Sequence, residues 1–315
     1  VIPVVVGGKQ TREFRVQPLV QTEEAAAMQE IATVVIPAAG LGSRMLPATK
    51  SIPKELLPVY DTPLIQFAID EAILAGAKRI VVVVSPGKGV LLDYLRRDEL
   101  LAAQLLRKGK AKLCAALDQT GIPDGVELQI AEQKQPLGLG HAVLTAGPHL
   151  LPGPFGVILP DDLILGEPCL KEMARAYVRG HMIAAAVVPE SEVSSYGIFV
   201  PSSPSSLPLA PALVPVRGMV EKPTLATAPS RLAAVGRYIL SPDVLRTLSR
   251  LGPGAGGEVQ LTDAITLDAP RLPLAAFRFS GKRFDCGSHD GLLAASVTYQ
   301  LSRAGRSAVP AAAGS

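Results

Sequence analysis

Between Ile36 and Pro58 the chain reads IPAAGLGSRMLPATKSIPKELLP, placing Gly40 and Gly42 ahead of three cations, Arg44, Lys50 and Lys54. Glycine tolerates positive φ and lets a backbone approach a ligand closely. Successive N–H groups in such a turn face an anion. Pro47, Pro53 and Pro58 prevent a helix from running through, so the cations belong to an irregular loop suited to phosphate. Two better-known phosphate loops do not fit. Met45 stands where the dinucleotide fingerprint needs its third glycine, and G-x-x-x-x-G-K-[ST] is not found here.

Carboxylates end other apolar runs. Pro160-Asp161-Asp162 follows the apolar stretch 155–159, and Asp285 closes the stretch 274–284. In open α/β sheets ligands bind at the carboxyl ends of strands. Adjacent acids also cap turns and helices, and the dipeptide alone leaves the two readings level. Glu221-Lys222, closed by Pro223, is by itself a charged strand end.

The elements around these residues alternate. Residues 33–38 read as a buried strand, 64–75 as a helix with Pro63 at its start and Gly76 as its stop, and 79–85 as an all-apolar strand. That order is a βαβ unit, which implies a parallel sheet. Residues 88–117 read as a long amphipathic helical segment whose late charges, Arg107, Lys108, Lys110 and Lys112, form a solvated face. Further strands are expected at 126–131, 155–159, 182–189, 196–200, 216–223, 235–240 and, as the last long one, 274–284. Helices are expected at about 138–149, 243–251, from 258 onward, and 291–303. Residues 201–211 read as a loop, 1–30 as an N-terminal extension and 306–315 as a tail.

At 315 residues with 48% hydrophobic content the chain can bury a large core. A net charge of +3 and 4% aromatic residues argue against a nucleic-acid partner with stacking platforms. Cys114, Cys169 and Cys286 are odd in number and lack metal-ligand spacing, which favours a reducing cytoplasm over a disulfide framework. No run approaches the roughly 20 apolar residues of a membrane helix, so no membrane is expected. The start, VIPVVVGG, has neither a basic region nor a clear cleavage site.

The full string G-L-G-S-R-M-L-P-A-T-K-S-I-P-K-E resembles the nucleotide loop of the sugar-1-phosphate nucleotidylyltransferases, in particular their uridylyltransferase branch. Gln133 with Gly138-Leu-Gly-His, Pro160-Asp161, Val220-Glu-Lys-Pro, the segment 254–263 and Phe284-Asp-Cys-Gly carry the same resemblance in order. It spans about residues 31–305. It implies a Rossmann-like α/β nucleotidyltransferase fold with a mixed, mostly parallel central sheet flanked by helices, and a sugar-binding part at about 180–285.

The resemblance implies that UTP and glucose 1-phosphate give UDP-glucose and pyrophosphate with Mg²⁺. Arg44 would then hold the leaving phosphates and Lys54 the reacting ones, with Lys50 either folding the loop or lying in solvent. Amides around Ala39, Gly40 and Gly42 would meet the nucleotide. Gln133 would read the uracil edge with both halves of its amide, Gly138 would leave the base room, and Asp161 would sit by the nucleotide. Asp161 and Asp285 resemble the metal-binding pair, with Asp162 behind them. Glu221, Lys222, Gly197 and Glu258 would hold the sugar phosphate, and His141 and His149 are expected to be helix residues. The chain departs from the pattern at His289-Asp290-Gly291, where relatives often carry Lys-Leu-Gly, which bears on efficiency or on the packing of the last helix. A homodimer or homotetramer is expected, with the terminal helix as a contact.

Three rivals stand against this. Met45 argues against an NAD-dependent oxidoreductase. A thymidylyltransferase of the same fold differs in base and in the 88–117 insertion. A nucleotide-sugar-binding regulator would bind without releasing pyrophosphate.

Overall fold

The runs TVVIPA and RIVVVV are almost free of polar side chains, so the strands they form must be covered on both faces. A computed structural model describes residues 30–202 and 211–307. In chain order, β1 (Thr33–Ala38) leads through the glycine loop to a hairpin of β2 (Pro58–Val59) and β3 (Thr62–Pro63), then helix α1 (Leu64–Leu74) and β4 (Arg79–Val84). Helices α2 (Gly89–Leu95), α3 (Glu99–Arg107) and α4 (Ala111–Leu117) precede β5 (Glu127–Glu132), α5 (Gly138–Ala146) and β6 (Phe155–Ile158). The chain continues through β7 (Asp162–Leu165), α6 (Cys169–Ala176), β8 (His181–Val187), β9 (Gly197–Pro201), β10 (Ala212–Glu221) and β11 (Leu232–Leu240). It closes with α7 (Asp243–Leu248), α8 (Leu261–Asp268), β12 (Leu274–Arg278), β13 (Lys282–Asp285) and α9 (His289–Ser307).

Nine strands form one mixed sheet in the order β5-β4-β1-β6-β11-β8-β12-β10-β9. Side chains alternate across it. Val34, Ile36, Ile80 and Val82 face a core with α1, α2 and α6, while Val35, Val81 and Val83 face another with α5, α7 and α8. The pairs β5–β4, β4–β1, β1–β6 and β8–β12 are parallel. β6–β11, β11–β8, β12–β10 and β10–β9 are antiparallel. The sheet is therefore evenly mixed in its pairings rather than mostly parallel. Its parallel block lies at one end, and an extra pairing of Ala233 with Ile198 brings the far edge strand β9 back to β11.

Three expectations change. The segment 88–117 is three short helices, because Asp98 caps α3 by accepting from Leu101 N at 2.9 Å and Gly109 takes φ 65° before α4. The run 274–284 is two strands in different sheets. Gly281 lies between them, where a Cβ would stand 2.6 Å from Ile164 Cγ2, and β13 pairs with β7 instead of extending β12. Strand β7, directly after the acids, has no counterpart in the sequence reading. The extension at 1–29, residues 203–210 of the expected loop and the tail from 308 lie outside the described residues.

Candidate active site

The glycine loop leaves β1 and descends through three 3₁₀ turns, Ser43–Met45, Ala48–Lys50 and Lys54–Leu56, as its prolines require. Gly42 alone carries the positive φ, 68°, and a Cβ there would crowd Thr49 and Lys54 at 3.2–3.3 Å. Gly40 lacks positive φ, correcting the expectation for that residue. Instead it leaves a bare backbone face beside Lys54, whose Nζ is 3.7 Å from the position a Cβ would take. Met45, at the place of the missing third glycine, is buried with Leu57, Val59, Leu163 and Phe284 and anchors the loop. Lys50 is exposed.

The loop cations meet the acids. Lys54 Nζ donates to Asp161 Oδ2 at 2.6 Å. Arg44 spans both carboxylates, 3.8 Å from Asp161 and 3.9 Å from Asp285. Asp161 and Asp285 come together because β7 pairs with β13 and Cys286 N donates to Asp161 O at 2.8 Å. Burial pushes the Asp161 carboxyl up, but Lys54, helped by Arg44, outweighs it and holds the carboxyl below its ordinary value. Gly287 leaves room for the Arg44 guanidinium, which a Cβ there would meet at 2.5 Å and push aside. Asp162 turns into the fold, where it accepts from Gly236 N at 2.8 Å and from Arg283. It braces β11 against β13.

Arg44 and the acids open onto a cleft of about 700 Å³, which Lys54 does not line. Arg44, Asp161 and Asp285 line one part of it, and Gly197, Glu221, Lys222 and Glu258 line another. Thr262 Oγ1 donates to Glu221 Oε2 at 2.9 Å, while Lys222 lies 3.8 Å from Glu221 Oε1 and is largely exposed. Lys222 takes φ 43°, and its N–H donates to Tyr196 O at 3.0 Å, which fixes the end of β10. Gly197 is bare because a Cβ would stand 2.9 Å from Thr262 Cγ2.

Gln133 and Gly138 lie beside this cleft without lining it. Gln133 is buried, and its Nε2 sits 3.1 Å from Gly138 O and 2.9 Å from His141 Nδ1. With His141 Nδ1 unprotonated, both contacts take hydrogens of the Gln133 amide and leave Oε1 without a protein partner. Gly138 takes φ 88°, and a Cβ there would strike Glu258 Cβ at 2.7 Å, so Glu258 packs over the start of α5.

At the departure from the family pattern, His289 and Asp290 are exposed in the first turn of α9. Ser288 caps that helix, accepting from Gly291 N at 3.1 Å, and Gly291 abuts Asp285 O so closely that a Cβ would lie 1.9 Å away. The residue this packing needs is the glycine that the two patterns share, and the departing residues, His289 and Asp290, lie in solvent.

Sequence reading missed three site residues. Lys88 is only 12% exposed and bonds the backbone of the glycine loop. Its position just past β4, at the same edge as the end of β1, was the available signal. Arg283 stacks on Tyr196 with 4.8 Å to the ring centroid and lines the cleft with it. Thr262 orients Glu221, and nothing in its local sequence announces that role.

Residues 33–302 match the model of the nucleotidyl transferase family. The chain is 41% identical over 257 residues to a UTP–glucose-1-phosphate uridylyltransferase of Komagataeibacter xylinus, covering 81% of this chain and 88% of that protein. It is similar to the UTP-bound UGPase of Acinetobacter baumannii, with TM-score 0.79, 37% identity and coverage of 86% and 94%. A UDP-glucose pyrophosphorylase solved with UDP-glucose aligns with TM-score 0.74 and 37% identity over 87% of this chain and all of that one.

Proposed function

This chain belongs to the nucleotidyl transferase family, among its UTP–glucose-1-phosphate uridylyltransferases, and on that footing we propose that it converts UTP and α-D-glucose 1-phosphate into UDP-glucose and pyrophosphate. The observation that carries this is the convergence of Arg44, Asp161 and Asp285 in one cleft with Glu221 and Lys222, with Lys54 bonded to Asp161. A phosphate oxygen of the sugar attacks the α-phosphorus of UTP in line, and pyrophosphate leaves. That oxygen is already anionic, so no general base is required and catalysis consists of positioning and charge stabilisation.

Lys54 neutralises the reacting phosphoryl oxygens, and Arg44 holds the β and γ phosphates. Amides of Ala39, Gly40 and Gly42 meet the nucleotide, with Asp161 beside it. Gln133 Oε1 accepts uracil N3–H. Cytosine has no hydrogen at N3, so CTP would leave that buried oxygen unpaired, at a cost of about 1–3 kcal/mol. Thymine presents the same edge, and dTTP is expected to leak through. Glu221 accepts from glucose hydroxyls, Lys222 holds the sugar phosphate, and Gly197 and Glu258 complete that wall. These residues support placing the sugar-binding part at about 180–285.

Mg²⁺ fits the acids at the cleft. Asp161 and Asp285, 3.8 and 3.9 Å from Arg44, are the carboxylates that would hold it. Mg²⁺ suits such a pair because it takes its other ligands from water and phosphate. When bound it would neutralise phosphate charge.

The parallel block β5-β4-β1-β6 supports the Rossmann-like description of this half. No helix among the described residues is long and apolar enough to cross a membrane. Three free cysteines support a cytoplasmic setting. Exposed Leu293, Val297 and Leu301, spaced along one face of α9, support a homodimer or homotetramer formed through that helix.

The test is pyrophosphate release over a panel of nucleotides and sugar 1-phosphates. UTP with glucose 1-phosphate should turn over, dTTP should be used less well, and CTP and ATP should be rejected. Binding of UTP without pyrophosphate release from any pair would identify a regulator instead.

A further inference from the structure

Lys88 is a largely enclosed cation, 12% exposed, that the reaction itself does not call for. Its ammonium donates to Ala38 O, to Gly40 O at 3.0 Å and to Glu55 Oε2 at 2.9 Å. An ammonium has three hydrogens, so all are committed, two of them to the main chain of the glycine loop. Glu55 is 1% exposed, immediately follows Lys54 and keeps Oε1 without a partner. Burial raises the Glu55 carboxyl above its ordinary value against the pull of Lys88 and Lys54.

In a planar trans peptide, the C=O of one residue and the N–H of the next point in opposite directions. Holding the carbonyls of Ala38 and Gly40 on Lys88 therefore turns the N–H groups of Ala39 and Leu41 away from it. Among the described residues, the N–H groups of Gly40 and Leu41 donate to no backbone carbonyl. The loop is thus locked with the Leu41 N–H turned away from Lys88 and free to donate to a phosphate oxygen, and its lock is tied through Glu55 to the turn that carries Lys54.

We propose that Lys88 is a positioning residue for the nucleotide: it orients the loop amides toward the phosphates of UTP and, through Glu55, keeps them in register with Lys54. This rests on the uridylyltransferase reading. Lys88 itself touches no reacting atom. Its loss should act on UTP rather than on glucose 1-phosphate, and should not be repaired by restoring the stability of the buried pair.

The test uses Lys88→Met, Glu55→Gln and the double variant in the full-length protein, with UTP binding by calorimetry, both substrate KM values and thermal stability. Lys88→Met leaves Glu55 buried beside an apolar chain, so it should melt lower and bind UTP about tenfold more weakly, in the range of a lost hydrogen bond to a charged group. Its glucose 1-phosphate KM should stay within about twofold, since the sugar wall is untouched. The double variant removes the stranded charge and should regain thermal stability while keeping the UTP defect. Recovery of UTP affinity together with stability, or a Lys88→Met protein that binds UTP as the wild type does, would overturn the proposal. If Lys88→Met does not fold, the double variant alone decides. A wild type that binds UTP but releases no pyrophosphate would defeat the functional reading while leaving the UTP-binding comparison intact.

Discussion

On the nucleotide side of the cleft the charged side chains are packed away. Lys54 and Asp161 are 20% and 17% exposed, and Lys88 and Glu55 are 12% and 1% exposed. Arg44, which reaches over the acids on this same side, is an exception at 66% exposed. On the sugar side Lys222 is 57% exposed and lies 3.8 Å from Glu221, itself 18% exposed. The first set grows from the parallel block of the sheet, and Glu221 and Lys222 from the curled antiparallel part. The contrast is energetic. Buried, hydrogen-bonded pairs hold their geometry before substrate arrives, as stabilisation of a developing charge requires. Exposed pairs contribute about 0–1 kcal/mol and are free to exchange partners. The Lys54–Asp161 and Lys88–Glu55 pairs are built in advance, whereas Lys222 is exposed enough to change partners.

Where the two parts join, Arg237 of β11 holds Glu71 of α1 through bonds of 2.8–3.0 Å and also donates to Asp162 O at 2.6 Å. The pair is almost fully buried. Glu71→Ala strands a guanidinium in the core and should cost about 3–5 kcal/mol, measured by urea unfolding. A loss below about 1 kcal/mol would mean that the joint does not hold the two parts together.

Within the preorganised side, Lys54→Ala should lower kcat by roughly 10²–10³ with a smaller change in UTP affinity. Steady-state kinetics within a few-fold of wild type would erase the contrast drawn above. On the open side, Glu221→Ala should raise the glucose 1-phosphate KM by about tenfold and leave the UTP KM nearly unchanged, as removal of a charged hydrogen-bond acceptor predicts. Equal effects on both substrates would show that the two walls are not separable.

The smallest effect is one of acidity. The Asp161 carboxyl is held below its ordinary value of 3.8, so the folded protein binds fewer protons there than the unfolded chain. Its stabilising contribution is present above that value and is lost as pH falls through the lower folded value. Unfolding midpoints of the wild type should therefore drop more steeply below about pH 4 than those of Asp161→Asn. Parallel curves would remove the ion pair from the account of stability.

The nucleotide loop was legible in the sequence because its constraints are local: glycines, spaced prolines and cations lie within one short stretch, and β1, α1 and β4 follow from runs whose periodicity needs no distant partner. The acids Asp161 and Asp285 were legible as strand ends, although the strand ahead of Asp285 is shorter than it reads, because Gly281 carries the chain across Ile164. What the tertiary structure decided is which side chains are already spoken for. The Gln133 amide hydrogens go to Gly138 and His141, and Asp162 turns to Gly236 and Arg283. Lys88 stands at the start of a segment that reads as one long amphipathic helix, yet it bonds a loop 48 residues earlier. A sequence displays the types of its donors and acceptors, whereas hydrogen-bond partners far apart in the chain are selected only when the folded strands bring their ends to one edge.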